Sequence, residues 1–411
     1  MSICMAGIDW KNANMDKREA FSFTSGQVGR LCSRIRQMDG VEGCVLLSTC
    51  NRTELYLSGA ERLQPAEILC QVAKTEGAEA LFCVRTGDNA ARHLMRVACG
   101  LCSQILGEDQ IVSQVKRAYA IAHEVQCTDA VLSQLFRLAA TAGKRSRTQV
   151  RLSAAPLSAA GQAVAMIEDA GDLNGKRALV IGNGEMGRLA SQLLVARGCD
   201  VTVTLRTYRH GQTVVPSGCK TIPYDARMDI LGKCDILLSA TTSPHYTVTY
   251  ADMEQLERIP AVICDLSMPR DIDPKIRDMD AVQVFLDMDS MGGHDAHVDA
   301  DDRRQVEDII EEEMAELARW IAYRDALPLM DELCWLAAER IAEGYDFAVL
   351  SDGEDAQTIE KMENAARLAA EKTARLLLSG LQGELSDGAL AACREAILRK
   401  APQLRDRRTM E

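Results

Sequence analysis

The sequence predicts a multidomain α/β protein, and three observations carry that prediction. A glycine-rich turn, Gly182-x-Gly184-x-x-Gly187, follows the apolar run 178–181 and opens a helical pattern. Further apolar runs alternate with helical segments as far as residue 285, the signature of a parallel sheet with helices on both faces. After the turn at 291–295 strand patterning stops and the chain reads as helix. Together these give an N-terminal α+β domain over 1–150, a Rossmann-like doubly wound domain over 151–298, and an all-helical domain over 299–411, entered by a long linking helix.

In the first region, apolar runs at 4–8, 44–47 and 54–57 read as short strands. Helical patterns cover 27–38, 91–102, 109–125 and 130–142, and Asn89 is placed as the N-cap of the helix that carries His93. A helix over 158–170 leads into the second region, whose strands fall at 178–181, 200–205, 236–239, 261–265 and 282–285. In the third, Val306, Ile309, Ile310, Leu317, Trp320 and Ile321 recur at helical spacing over 301–323, and Pro328, Gly344, Gly353 and Gly380 mark breaks. A long amphipathic helix with short followers cannot bury its own stripe, which predicts a homodimer.

With 411 residues, 47% hydrophobic and 26% charged, the chain can bury real cores. No apolar run approaches the ~18 residues of a membrane span, and the first ten residues lack a signal-peptide pattern, so the cytoplasm is expected. Fifteen cysteines at irregular spacing do not form a secreted disulfide framework. Cys99 and Cys102 make a lone Cys-x-x-Cys, read as two core-facing thiols on one helix, and His294 and His297 as parts of a solvated loop; no metal is expected. A net charge of −13 still leaves two basic clusters: Arg137, Lys144, Arg145, Arg147 and Arg151 without an intervening acid, and the C-terminal Arg394, Arg399, Lys400, Arg405, Arg407 and Arg408. Such gathered charge is what RNA contact requires of an acidic chain, and the acids collect at 299–316.

The densest chemistry lies at Ser48-Thr-Cys50-Asn-Arg52-Thr-Glu-Leu-Tyr56. A short buried strand delivers a thiol among polar groups, and Arg52, two residues on, favours a thiolate over a thiol. Thr49, Asn51 and Thr53 add hydrogen-bonding groups on either side. The turn Gly182, Asn183, Gly184, Glu185, Met186, Gly187 has the strand before it and the helix after it that a pyrophosphate site needs. Where an NAD enzyme places a carboxylate, the second strand ends Leu205-Arg206-Thr207-Tyr208-Arg209-His210, so Arg206 and Thr207 are fitted to a 2′-phosphate and NADPH is the expected cofactor. A third segment carries His93, Ser103, Glu108, Asp109, Gln110 and Gln114, more polarity than a packing helix pair needs.

The first of these segments resembles the active-site signature of glutamyl-tRNA reductases, and the third their second motif, with the histidine, serine, Gly-Glu and both glutamines in register. Gly143-Lys144-Arg145 to Thr148 and Asp265-Leu-Ser-Met-Pro-Arg-Asp271 resemble further family motifs, while Trp10, Cys102, Asp109 and Leu205 depart from them. The resemblance spans nearly the whole chain. It implies NADPH-dependent reduction of glutamyl-tRNA(Glu) to glutamate-1-semialdehyde through a Cys50 thioester, with release of free tRNA, the first step of tetrapyrrole synthesis. It further implies that Arg52 meets the substrate carboxylate, that Thr49, Asn51, Ser103, Glu108, Asp109, Gln110 and Gln114 fix other polar groups, and that His93 is either general base or orienting donor. Hand-off of the aldehyde to an aminomutase follows from the same resemblance. Two alternatives stand beside it: a dehydrogenase acting on a free small molecule, and a non-catalytic relative that binds tRNA or haem.

Overall fold

The computed structural model describes residues 3–104, 110–150, 158–206, 214–291, 300–343, 355–380 and 387–400. Two compact units emerge, Met1–Met314 and Ala315–Glu411. The first begins with β1 (Ile3–Asp9), α1 (Met15–Glu19), α2 (Ser25–Arg36), β2 (Val41–Ser48), β3 (Arg52–Gly59), α3 (Pro65–Ala73), β4 (Cys83–Thr86), α4 (Gly87–Ala98), α5 (Ile111–Glu124) and α6 (Ala130–Gln149). The strands form one antiparallel sheet in the order β2-β3-β1-β4. All eight residues of β3 are buried, so the strand that follows the Cys50 turn runs through the middle of the core.

Three local expectations need correction here. The edge strand β4 was not foreseen, because its exposed Cys83-Val-Arg-Thr lacks an apolar face. Its last residue, Thr86, lies in extended backbone and caps α4, so Asn89 falls inside the first turn instead of capping it. At the other end Gly100 has φ +78°, which an α-helix cannot continue through, so Cys102 lies beyond α4 and does not share a helix with Cys99.

The chain continues with α7 (Ala159–Asp169), β5 (Arg177–Ile181), α8 (Glu185–Ala196), β6 (Asp200–Leu205), β7 (Lys220–Pro223), α9 (Arg227–Leu231), β8 (Ile236–Ser239), α10 (Tyr250–Glu254), β9 (Val262–Asp265) and β10 (Val284–Asp287). The six strands are parallel in the order β10-β9-β8-β5-β6-β7. Strand order reverses between β5 and β8, the crevice where doubly wound folds bind dinucleotides. Ala159, Ala163, Ala190 and Leu194 of α7 and α8 close one face of the sheet, and Leu231, Met253 and Ile276 close the other. β7 was missed by sequence reasoning, since a four-residue edge strand ending in proline carries no alternation.

A 44-residue helix, α11 (Ala300–Glu343), leaves the first unit and enters the second, where α12 (Ala356–Gly380) and α13 (Asp387–Lys400) follow. Contrary to expectation, α11 runs through Pro328. The missing N–H costs one helical hydrogen bond, but Ala326, Met330 and Leu333 on either side remain buried against Leu390. Arg151, Gly344, Gly353, residues 292–295 of the expected turn, His294, His297 and the arginines beyond residue 400 lie outside the described residues. Among the described residues no helix is long and apolar enough to cross a membrane.

Candidate active site

A cavity of about 650 Å³ lies where the two sheets of the first unit meet. From the antiparallel sheet it takes Ser48, Thr49 and Cys50, with Gln110, Gln114 and Arg117 from α5 and its cap; from the parallel sheet, Gly184, Glu185, Met186, Thr241, Ser267 and Met268. The nucleophile candidate and the glycine turn thus line one cavity.

Cys50 sits at the bend between β2 and β3. Thr49 Oγ1 accepts from the backbone N–H groups of Asn51 and Arg52, both at 3.2 Å, and Thr49 N–H donates to the Arg52 carbonyl at 2.9 Å. That small ring fixes the turn. The half-buried thiol packs beside Met186 and Met268 against the core of the parallel sheet. Arg18, 3% exposed, donates from Nη1 to the Cys50 carbonyl at 2.9 Å and pairs with Asp289. Asp289 also accepts from the Met15 N–H at 2.7 Å. Arg270 meets Asp16 at 2.7 Å and Glu19 at 3.1 Å. These buried and half-buried pairs lock the N-terminal segment behind the thiol onto the nucleotide-binding half. Asn51 is 5% exposed; its carbonyl accepts from the Trp10 N–H at 3.2 Å, and its Oδ1 is buried without a hydrogen-bond partner.

Alternation along β3 puts Arg52, Glu54 and Tyr56 on one face, and α4 brings His93 to them. Glu54 Oε1 takes Arg52 Nη1 at 2.9 Å and His93 Nε2 at 2.8 Å, while Oε2 accepts from the Tyr56 hydroxyl at 2.7 Å. The other arm of Arg52 holds the Cys102 carbonyl. Arg52 is therefore committed within this cluster, its side chain 1% exposed. Burial works against charge on His93, but Glu54 and a hydrogen bond with the Cys102 thiol outweigh it and raise His93 to about 9. Burial likewise opposes the Glu54 charge, and His93 and Arg52 overcome it, holding this carboxylate far below its usual range. His93 and Cys102 line a second cavity of about 430 Å³, together with Asp9, Lys11, Arg85, Arg92 and Arg96.

The glycine turn has the form a pyrophosphate needs. Gly182 has φ +108°, and a Cβ there would lie 2.4 Å from the Ala240 carbonyl; at Gly187 a Cβ would lie 2.1 Å from the Gly182 carbonyl. Gly184 faces open space and precedes α8, whose first N–H groups have no side-chain cap. A helix N-terminus with bare glycine before it fits an anionic diphosphate. Asn183 donates to the Val214 carbonyl at 2.9 Å, tying the turn to the loop beyond β6. Arg206, at the end of β6, stacks over Tyr224 at 4.6 Å, and Arg227 lies 4.2 Å from the same ring.

Of the expected residues, Thr49, Cys50, Gln110, Gln114, Gly184, Glu185 and Met186 line the larger cavity. His93 lines the smaller one, and Ser103 is buried. Glu108, Asp109 and Thr207 lie outside the described residues. Sequence reasoning assigned no role to Arg18, Glu54 or Asp271. Asp271 is fully buried and accepts from Ser239, Ser267 and Thr241, shaping two loops of the larger cavity. A glutamate alternating with leucines in a core strand was the available signal for Glu54.

Strand order, glycine turn and open helix end define a nicotinamide-dinucleotide oxidoreductase joined to a thiol-bearing domain. Residues 6–150 match the model of the glutamyl-tRNAGlu reductase N-terminal domain and residues 164–292 that of shikimate/quinate 5-dehydrogenases. The glutamyl-tRNA reductase of Acetivibrio thermocellus is 42% identical over 336 residues, covering 80% of this chain and 100% of that protein. A probable multifunctional siroheme biosynthesis protein of Ruminiclostridium josui is 42% identical over 330 residues, 79% of this chain but 64% of that longer protein. The solved glutamyl-tRNA reductase of Methanopyrus kandleri is 28% identical, covers 97% of this chain and 98% of its own, and gives a TM-score of 0.46. The chain belongs to the glutamyl-tRNA reductase family, the oxidoreductases that open tetrapyrrole synthesis.

Proposed function

We propose that the chain reduces glutamyl-tRNA(Glu) to glutamate-1-semialdehyde through a thioester on Cys50, with NADPH as reductant. The observation that carries this reading is the single cavity lined by both Cys50 and Gly184 to Met186. Cys50 attacks the ester carbonyl of the aminoacyl end, the C–O bond breaks, and the tRNA departs as an alcohol that takes up a proton. A thioester is the better hydride acceptor, because sulfur conjugates weakly with the carbonyl. NADPH, when bound at the Gly182–Gly187 turn, supplies that hydride; collapse of the hemithioacetal then frees Cys50 and the aldehyde.

The chain's own groups do the positioning. Thr49 holds the thiol turn, and Gln110 and Gln114 present amides to the substrate from the first turn of α5 and its cap. His93, raised to about 9, is a charged donor at neutral pH, which favours orientation over general-base work. Arg52 would have to give up its bond to the Cys102 carbonyl to meet a substrate carboxylate, and Asn51, Ser103, Glu108 and Asp109 are assigned to the remaining polar groups of the substrate. Arg206, with Thr207, takes the 2′-phosphate that distinguishes NADPH.

Residues 1–150 serve the acyl transfer, 151–298 the cofactor, and 299–411 dimerisation. Exposed Leu368, Leu376 and Leu377 on α12 support the last assignment. Fifteen cysteines, none in a disulfide, suit the reducing cytoplasm. The reactive aldehyde product favours direct hand-off to an aminomutase.

The test is a single-turnover incubation with glutamyl-tRNA carrying labelled glutamate, without reductant, alongside Cys50→Ser. Label held on wild-type protein through a thioester, absent in the variant and released as aldehyde by NADPH, is expected. Label that never leaves the tRNA in wild type sinks the reading.

A further inference from the structure

Arg18 lines neither cavity, yet its side chain is buried and committed at every nitrogen. From α1, Nε donates to the Ala13 carbonyl at 3.2 Å, Nη1 donates to the Cys50 carbonyl at 2.9 Å, and Nη2 pairs with Asp289. One guanidinium thus joins the backbone of the thiol turn to an acid of the nucleotide-binding half.

Asp289 is held in place from its own side. It stands in the short turn Met288–Ser290 that follows β10. Asp287, the last residue of β10, accepts from the N–H groups of Asp289 and Ser290, both at 3.1 Å, and pairs with Arg277 at 2.7 Å. Gln104 Nε2 donates to the Met288 carbonyl at 3.1 Å, and Met15 shares one buried cluster with Met288 and Met291. A chain of contacts therefore runs from β10 through Asp289 and Arg18 to the Cys50 carbonyl.

The two partners differ in what separation would do to them. The Asp289 side chain is 34% exposed and that of Arg18 only 3%. If the nucleotide-binding half withdrew, Asp289 would return to water, whereas Arg18 would remain a buried cation without its acid, an unfavourable state that must rearrange. The group that rearranges is the one holding the Cys50 backbone. That backbone sets where an acyl group on the thiol points, and hydride transfer needs the acyl carbonyl against the cofactor.

We propose that Arg18 is a positioning residue which, paired with Asp289, holds the Cys50 turn so that the acyl group faces the cofactor, and which releases the turn when the pair parts. The inference rests on the thioester reading above. It decides between two fates of the acyl-enzyme. With the pair made, the thioester carbonyl accepts hydride from NADPH, and collapse expels the Cys50 thiolate and the aldehyde. With the pair broken, water adds to the same carbonyl, the C–S bond breaks, and free glutamate leaves as the thiol is regenerated.

The test uses the full-length chain, its Asp289→Asn and Arg18→Met variants and the double variant, all held below their thermal unfolding transitions. Each receives NADPH and glutamyl-tRNA carrying labelled glutamate, and the ratio of semialdehyde to free glutamate is read. Asp289→Asn keeps the shape and removes the charge. It should acylate Cys50 at the wild-type rate while the ratio falls about ten- to hundredfold, as for a misplaced reacting group. Arg18→Met should lower the ratio as much and the double variant no further, because one relay is cut twice. If Arg18→Met does not fold, Asp289→Asn alone decides. A merely structural role lowers both products together and leaves the ratio unchanged. That outcome, or a fall in the double variant equal to the product of the single effects, would overturn the assignment.

A second readout needs no RNA. Alkylation of Cys50 by iodoacetamide, followed by mass spectrometry of its peptide, should run faster in Asp289→Asn than in wild type; equal rates would also overturn the assignment. A wild type that never acylates Cys50 while this difference persists would instead sink the glutamyl-tRNA reading and leave the coupling of Asp289 to Cys50 standing.

Discussion

Nε2 of His93 stands 2.8 Å from Oε1 of Glu54, at the centre of a buried set that also holds Arg52 and Tyr56. Among the described residues Glu54 is the acid that pairs with both Arg52 and His93, so the charge of the set depends on it. Replacing Glu54 by Gln leaves Arg52 and His93 buried against each other. A loss of about 3–5 kcal/mol is expected, the usual cost of removing one member of a buried pair. Urea unfolding measures it; a loss within ~0.5 kcal/mol would show that the cluster does not hold the domain together.

The same pair gives stability a pH signature on the alkaline side. The folded value of His93 is raised from 6.5 to about 9, so its contribution is complete below pH 6.5 and is lost as pH rises through about 9. Thermal unfolding of wild type should therefore weaken between neutrality and about pH 9, and His93→Gln should remove that slope. A variant that keeps the wild-type alkaline slope would place the titrating group elsewhere.

Much of this was legible in the residues, for physical reasons that differ by element. β5, the glycine turn and α8 were readable because a buried parallel strand must be apolar and a diphosphate demands bare backbone. Cys50 was readable from its polar neighbours on a strand end. The partner set of Arg52 was not, since it depends on which face of β3 the side chain takes, and β3 begins at Arg52 rather than Glu54. β4 and β7 escaped because edge strands owe their pairing to backbone rather than to side-chain pattern. Pro328 was read as a break because propensity is local, whereas burial of Met330 and Leu333 is not.

The glycines of the nucleotide turn should respond unequally. A methyl group at Gly187 meets the Gly182 carbonyl at 2.1 Å, so Gly187→Ala must push helix from strand and lose both cofactor binding and thermal stability. At Gly184 nothing stands within 4 Å, so Gly184→Ala should fold like wild type while placing a methyl in the cavity and weakening cofactor binding. Thermal scans and quenching of NADPH fluorescence separate the two effects. Equal thermal losses would contradict the packing role of Gly187.

Leu376 and Leu377, 72% and 65% exposed on α12, mark the face proposed to meet a second copy. The double change L376K/L377K should convert a dimer to monomer in sedimentation velocity and leave helix content by circular dichroism unchanged. Identical sedimentation of both proteins would remove this face from the interface.

Cofactor preference turns on Arg206. Its guanidinium is stacked on Tyr224 at the end of β6, where no carboxylate is present to hold a 2′-hydroxyl. A hydrogen bond between two charged groups contributes about 1.5–3 kcal/mol. Arg206→Ala should therefore raise KM for NADPH roughly ten- to hundredfold, at ~1.4 kcal/mol per tenfold, while KM for NADH stays near the wild-type value. Loss of the stacking alone would disturb both cofactors alike, because the adenine side of the pocket is common to them. The ratio of the two KM values in steady-state assays thus separates phosphate recognition from packing: a ratio unchanged by the substitution would assign the 2′-phosphate to another residue.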